Sequence, residues 1–537
     1  MHRFLLFAVL GIAVPTSVFG QAKSFGDPKI SAALDAEILA VLKENKQKPV
    51  GPSSDAEFHR RATLDLLGRI PTAEETQRYL ADKNPDKQRQ LIDRLLADWE
   101  MAAYWADVLH VGMNGRSVDP GLGYKEFREY LRQSLEANKP WDKLARELLL
   151  PVTNSPTQPA AFFLGSRLRR ENKEDQLDGM TVAVASTFFG VRMECAKCHD
   201  HPHVDEWKQD HYYGLASFLS RTELQLVNAK PSLRERDTGD VTFQNRKRDS
   251  FTAKVMFLDD KVFPEPKPAA KKTANKKDLP DLAENSRRKL LADYALVADN
   301  RYFKRAIVNR VWKQLMGIGL VEPVDQIHDG NTPTHPKLFD LLADDFAKNG
   351  FDLKRLVGNI MLTDTYRRSS VWPEKERPEE THYAVFNLRP LTPEQLALSL
   401  ATATGQVEIL KAQKKKTDPK DLRTEMEKDY KLFIENYESE NDQFAATTSQ
   451  ALFMTFNKTT QKYLQPVAGN LSARLVKTSD AEALARQAYL AILSRTPTSV
   501  ESEAIVKYLQ TSGAARDQLV RDVLWALLNS TEFRFNH

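Results

Sequence analysis

The sequence predicts a mainly α-helical protein, with a helical N-terminal domain that carries a small β element and an all-α C-terminal domain. Three observations lead there. Apolar residues recur at three- and four-residue spacings along most of the 537 residues. Alternating or β-branched runs are short and confined to residues 224–258. A stretch too rich in Pro and Lys to bury a core, Pro264 to Lys277, parts two long helical blocks.

Taken in order, the chain starts with a weakly basic Met1-His-Arg3, an apolar run from Phe4 to Val14 and a small-residue exit at Ser17-Val-Phe-Gly20. This reads as a secretory signal peptide over residues 1–20, cut near Gly20 or Ala22, and places the protein outside the cytoplasm, in a periplasm or cell envelope. The run is shorter than the ~20 residues a bilayer crossing needs, so no transmembrane helix is expected in the mature protein. No Cys stands near the cleavage point to take a lipid anchor.

Helical spacing then appears over Ile30–Leu42, Phe58–Leu67, Lys87–Leu96, Phe127–Ala137 and Trp141–Leu149, and again over Asp175–Phe189, where Gly190 is placed to end the helix. Gln209–Ser220 is a further helix, while Leu224–Val227, Val241–Phe243 and Phe251–Leu258 read as short strands. These elements make up a domain over residues 28–263, a linker over 264–284 and a helical domain over 285–537.

Two stretches far apart repeat each other. Leu64-Asp-Leu-Leu-Gly-Arg-Ile-Pro-Thr-Ala-Glu-Glu75 matches Leu490-Ala-Ile-Leu-Ser-Arg-Thr-Pro-Thr-Ser-Val-Glu501, with Arg69 set against Arg495 and Thr72 against Thr498. In each, Thr with Glu three residues later forms a capping box that starts a second helix. Both are helical hairpins, used either as independent local structures or packed together to close the chain end to end.

Composition excludes some functions. A net charge of +4 over this length gathers no nucleic acid, and the basic runs Lys267–Lys277 and Lys411–Lys416 lack interleaved aromatics. No G-x-S-x-G, Walker-A or H-E-x-x-H pattern occurs. With two cysteines in the whole chain, three positions apart, a disulfide-stapled scaffold is excluded.

Those cysteines carry the chemistry. Cys195-Ala-Lys-Cys198-His199 has the c-type haem attachment pattern: two thiols reach the two vinyl groups of one porphyrin, and the adjacent imidazole falls under the iron. Met193, His201, His203, His211 and Met256 are candidates for the distal position, and Arg167, Arg169 or Arg170 for the propionates. The following stretch is dense in carboxylates and imidazoles, which suits a small cation. The thiolates with His199, His201 or His203 could close a tetrahedral zinc or other divalent-metal site, and Asp200 or Asp205 in place of a thiolate could leave it open for water. A Cys-x-x-Cys disulfide is the third option, and no βαβ pattern supports a thioredoxin-like site. His328-Asp-Gly330 with His335 is a candidate second polar site, or a loop satisfied by its own backbone.

Cys195-Ala-Lys-Cys-His-Asp-His-Pro202, with Trp207 and Asp210-His-Tyr-Tyr-Gly-Leu215, resembles the cytochrome-like domain of unknown function of exported planctomycete proteins. Arg305-Ala-Ile-Val-Asn-Arg-Val-Trp312, Gly319-Leu-Val-Glu-Pro-Val-Asp325, Thr334-His-Pro336, Thr365-Tyr-Arg-Arg-Ser-Ser370 and Arg389-Pro-Leu-Thr-Pro-Glu-Gln395 resemble the planctomycete-specific domain that usually follows it. The resemblance implies one haem c on Cys195, Cys198 and His199, and a redox or envelope partner. Two departures stand out: a separate cytochrome c domain is missing, and position 203, where an aromatic is expected, is His. The expected function is electron transfer or redox sensing. The alternatives are a metal-dependent enzyme, such as a hydrolase, or a structural metal-binding envelope protein, with His199, Asp200, His201, His203, Asp205 and His211 as ligand candidates.

Overall fold

The computed structural model describes residues 24–116, 121–236, 238–245, 247–266, 286–412, 418–437 and 448–537. The expected signal peptide lies outside them, as does most of the expected linker. The protein is mainly α, with three two-stranded antiparallel pairs among the described residues. No helix among the described residues is long and apolar enough to cross a membrane.

The helices read from periodicity form where expected: Pro28–Glu44, Asp55–Leu67, Lys87–Ala97, Tyr124–Glu136, Trp141–Leu149 and Gln209–Leu219. Ser54 and Asp27 cap two of them by accepting from backbone N–H groups of the first turn. One long helix, Trp99–Asn114, is additional to the expectation. It is buried nearly all round, including Met101 through Asp107 in succession, so it carries no amphipathic stripe. Of the expected strands, the first two fall within or overlap Thr222–Val227 and Thr242–Gln244, but only Phe251 and Thr252 of the third enter a ladder. Residues 255–258 are buried and fold back on 261–263 through an isolated bridge, Met256 to Val262, with Phe257 N–H donating to Lys261 O at 3.0 Å and Phe263 N–H to Val255 O at 2.8 Å, while Met256 packs so closely on Gly214 that a Cβ there would meet its carbonyl oxygen at 2.8 Å.

Packing crosses the boundary that composition marks at 264–284. One apolar core extends from Phe25 to Phe386, and a second joins Leu64 and Ile70 to residues 391–533. Trp141 stacks on Phe303 at 6.4 Å and 13°, tying the two helical blocks together.

The repeated hairpins do pack on one another. Each has its capping box, Thr72 with Glu75 and Thr498 with Glu501. Each has the same ion fork: Arg69 bonds Glu75 and Glu100, and Arg495 bonds Glu501 and Glu532. Arg60 of the first donates to the carbonyls of Ile492 and Phe533 beside the second, at 3.2 and 2.9 Å. A buried knot completes the closure, in which Asp65 accepts from Tyr366, Asn536 and both oxygens' share of Arg389, at 2.8–2.9 Å. The segments Thr365–Ser370 and Arg389–Gln395 therefore serve closure of the fold.

Candidate functional site

The helix Lys173–Val184 runs on as a π turn over Ala185–Phe189 and stops at Gly190. Glycine is required there: its φ is +63°, and a Cβ would meet Ile327 Cδ1 at 2.6 Å. The Gly190 carbonyl accepts from Ile327 N–H at 3.0 Å, and Val191 bridges to Gln326. The cysteine loop is thus fastened to a loop of the C-terminal half. A 3₁₀ turn, Glu194–Lys197, follows. Met193 and Ala196 are buried beneath it, which leaves Cys195 and Cys198 exposed as free thiols.

His199 Nδ1 lies 2.6 Å from the Asp200 carbonyl oxygen. A carbonyl only accepts, so Nδ1 carries the hydrogen and Nε2 is the nitrogen left to bind, the way a backbone carbonyl fixes the tautomer of a ligating imidazole. The other candidates are used differently. His211 is buried, accepts from Lys208 N–H at 3.1 Å through Nδ1, and donates to Asp260 through Nε2 at 3.0 Å, so both ring nitrogens are committed to starting a helix and holding a loop. Asp200 accepts from Gln209 N–H at 3.0 Å at the same helix start. His201 Nδ1 accepts from His203 N–H at 3.3 Å, while His203 and Asp205 are exposed. Met193 and Met256 are buried. Arg167 is turned to the end of the helix Trp99–Asn114, donating to Met113 O at 2.6 Å, and Arg170 donates to Asp175 O at 3.2 Å. Among the described residues, no three or more His, Cys, Asp or Glu side chains are grouped to hold a metal ion.

The fold adds a residue to this neighbourhood. Buried Trp207 lies edge-on between His201, at 5.3 Å, and His328, at 5.0 Å. His201 is held below its ordinary pKa by burial first and then by His203, His328 and His199. Glu206 accepts from Asp329 N–H at 2.9 Å, a second fastening of the two loops. The sequence reads His328-Asp-Gly330 with His335 as a second polar site or a loop satisfied by its own backbone; the fold sets His328 against Trp207 of the cysteine loop and His335 against Tyr383.

An apolar wall flanks the turn. Tyr213 stacks on Phe243 at 4.3 Å, and Phe243 on Phe251 at 5.7 Å, with Phe251 45% exposed. The Gln209 amide clamps this hairpin beside the motif by donating to the carbonyls of Lys197 and Gln244, at 3.1 and 3.0 Å. Tyr213 is pushed above its ordinary pKa by burial, opposed by Lys197 and helped by Cys198, which places its hydroxyl in the electrostatic reach of that thiol. Two outward thiols, one oriented imidazole and an aromatic face make a donor set that fits a covalently attached haem.

Residues 33–224 match the family PSCyt2, a protein of unknown function (DUF1549), and residues 287–509 match PSD1, a protein of unknown function (DUF1553). The two regions are similar to these families over most of the described chain, and the cysteine turn lies within the first. No curated protein and no solved structure matches the chain.

Proposed function

We propose that the chain carries one c-type haem at the cysteine turn and serves electron transfer or redox sensing as an exported envelope protein. One observation carries the reading: two free, exposed thiols on a single turn are followed by an imidazole whose Nδ1 is tied to the Asp200 carbonyl, leaving Nε2 for iron. When bound, haem supplies a one-electron iron couple. Cys195 and Cys198 would attach it and His199 would ligate it, with the Asp200 carbonyl holding that imidazole and the Tyr213–Phe243 stack keeping an apolar wall beside the turn. The leader-like N-terminus supports export, which such attachment requires. A second reading, a non-haem metal used by an enzyme or as a structural tie, is favoured by the convergence of His201 and His328 on Trp207.

The test is full-length expression in an exporting, haem-maturing host, followed by absorption spectroscopy after denaturation and metal analysis. Covalent haem is expected in the wild type and absent from the Cys195→Ser, Cys198→Ser double variant. His199→Ala should keep the attachment and alter the iron spectrum. Colourless protein with stoichiometric zinc, lost in His201→Ala or His203→Ala together with stability, would reject haem in favour of the metal reading.

A further inference from the structure

A cavity of about 590 Å³ opens where the two helical blocks meet. Its walls are the helix Trp99–Asn114, the helix Arg301–Met316 and residues 388–396. None of Cys195, Cys198, His199, His201 and His203 lines it. Its size is that of a small-molecule site, typically ~300–1,000 Å³.

The lining is mostly apolar, with Trp105, Leu109, Met113 and Val311 among it. The polar minority is unusual. Six lining residues, Asp107, Trp141, Thr187, Arg310, Arg389 and Asn536, each hold a buried side-chain atom with no hydrogen-bond partner among the described residues. Four of the six atoms are donors: Trp141 Nε1, Thr187 Oγ1, Arg310 Nε and Arg389 Nε. Asp107, Trp141, Thr187 and Asn536 are at least nine-tenths buried. Leaving such an atom unpaired costs ~1–3 kcal/mol, so gathering several in one cavity is expensive unless something enters to accept from them.

Charge narrows the occupant. Arg116 is neutralised by Glu394 at 3.0 Å, Lys313 by Glu322 at 3.4 Å, and Arg389 by Asp65 at 2.9 Å. Arg310 is held instead by the Ser186 carbonyl, at 2.9 Å. Ser186 and Thr187 both belong to the π turn Ala185–Phe189, a geometry often found at functional sites. Asp107, the acidic group facing this set, is paired with Arg128 at 2.7 Å, and burial pushes its carboxyl toward the neutral form. Arg534, the other cation of the lining, donates to Gln450 at 3.0 Å and lies over the Tyr437 ring, whereas Arg310 has Asp325 as an electrostatic neighbour but makes no ion pair among the described residues.

We propose that this cavity binds a small organic monocarboxylate, its head held by Arg310, Arg389 and Thr187 and its apolar body against Trp105, Leu109 and Met113. A monoanion fits the Arg310 guanidinium, which makes no ion pair among the described residues, and the apolar walls suit an organic body better than a bare inorganic ion. The site is independent of what occupies the cysteine turn, so its test runs on colourless protein as well as red.

Full-length protein is titrated with 2-naphthoate and with the isosteric 2-naphthylmethanol and 2-naphthylmethylammonium, followed by calorimetry and by quenching of tryptophan emission. Octanoate serves as an aliphatic carboxylate in the same assay. At least one carboxylate is expected to bind about tenfold or more tightly than the alcohol, the margin of one charge-assisted contact. Arg310→Gln should lose that margin, and Thr187→Val should weaken binding several-fold with an unchanged circular dichroism spectrum. Equal binding of acid, alcohol and ammonium, no binding of either carboxylate, or full affinity in a folded Thr187→Val and a folded Arg310→Gln would each overturn the proposal. Should Arg310→Gln fail to fold, the charge series and Thr187→Val decide it.

Discussion

Three histidines, His59, His110 and His335, are buried with no ion pair among the described residues, and acidification should unfold the protein through them. His59 stacks on Tyr79 at 4.6 Å, His110 sits among Tyr124, Phe127 and Phe162, and His335 lies 5.4 Å from Tyr383. Each is 4% exposed or less, and one ring nitrogen of each lacks a partner. Burial holds all three at about 4 rather than 6.5, with Arg128 and Arg167 adding to the effect at His110 and His382 at His335, while Glu75 opposes it at His59. The unfolded chain takes up these protons near pH 6.5 and the folded chain only near 4, so stability is full above 6.5 and falls as pH drops through that window. Each histidine contributes a slope of up to ~1.4 kcal/mol per pH unit, ~4 for three. Asp107 works in the opposite sense below about 6, because burial raises its pKa, and returns ~1.4 per unit. His537, also held at about 4 chiefly by burial, adds a further ~1.4 per unit. The net loss from these groups is ~4 kcal/mol per pH unit between 6 and 5, a large part of a typical stability of ~5–15 kcal/mol. Urea unfolding followed by tryptophan fluorescence at pH 7, 6 and 5 measures it. His110→Phe, whatever its effect at pH 7, should remove about a quarter of the histidine slope. Stability unchanged between pH 7 and 5, or a His110→Phe slope equal to that of the wild type, would refute the argument.

Other outcomes follow from the same packing. The two ion forks share a sequence but differ in burial, the Arg side chain being 10% exposed at Arg69 and 26% at Arg495. Arg69→Met should cost ~3 kcal/mol or more and Arg495→Met ~1 in urea unfolding, and equal losses would mean that burial does not set the difference. Asp65→Asn strips the Arg389 guanidinium of its carboxylate in the closure knot and should cost ~3–5 kcal/mol, with a loss under ~1 speaking against the knot. Limited proteolysis should cut first within residues 264–284, as their composition dictates, yet the pieces should co-elute in gel filtration until denaturant is added. Their separation under native conditions would contradict a core shared across the cut.

The amphipathic helices were legible because each buries one face, and the capping boxes at Thr72 and Thr498 were legible because their chemistry is local. The helix Trp99–Asn114 was not, since burial on every side erases the period that reveals a helix. Val255 to Leu258 looked like a strand because buried extended chain favours the same residues whether or not it joins a ladder. At the cysteine turn the sequence supplied the reactive groups and their spacing. It could not show that His211 has both nitrogens engaged, that Asp200 caps a helix, or that His328 arrives from 120 residues away, because each depends on a long-range contact or a turn geometry.

Buried polar groups separate scaffold from site in this molecule. In the closure knot they are paired: Asp65 accepts from three side chains, and Arg61 donates to the Arg368 and His537 carbonyls at 2.9 and 3.1 Å while lying 3.6 Å over the Phe386 ring. Such saturation fixes geometry and leaves nothing to offer a ligand. Around the cavity the balance reverses, with donors on four separate elements left to be met among the described residues. Arg389 and Asn536 belong to both regions, each bonded to Asp65 and each with a further atom, Arg389 Nε and Asn536 Oδ1, unmet at the cavity wall. The sharing of Arg389 explains why a segment bearing the C-terminal resemblance can be needed for closure and still shape a binding site. It also sets the order of experiments, because Arg389 variants mix the two roles, whereas Thr187 and Arg310 stand outside the knot and report on the cavity alone.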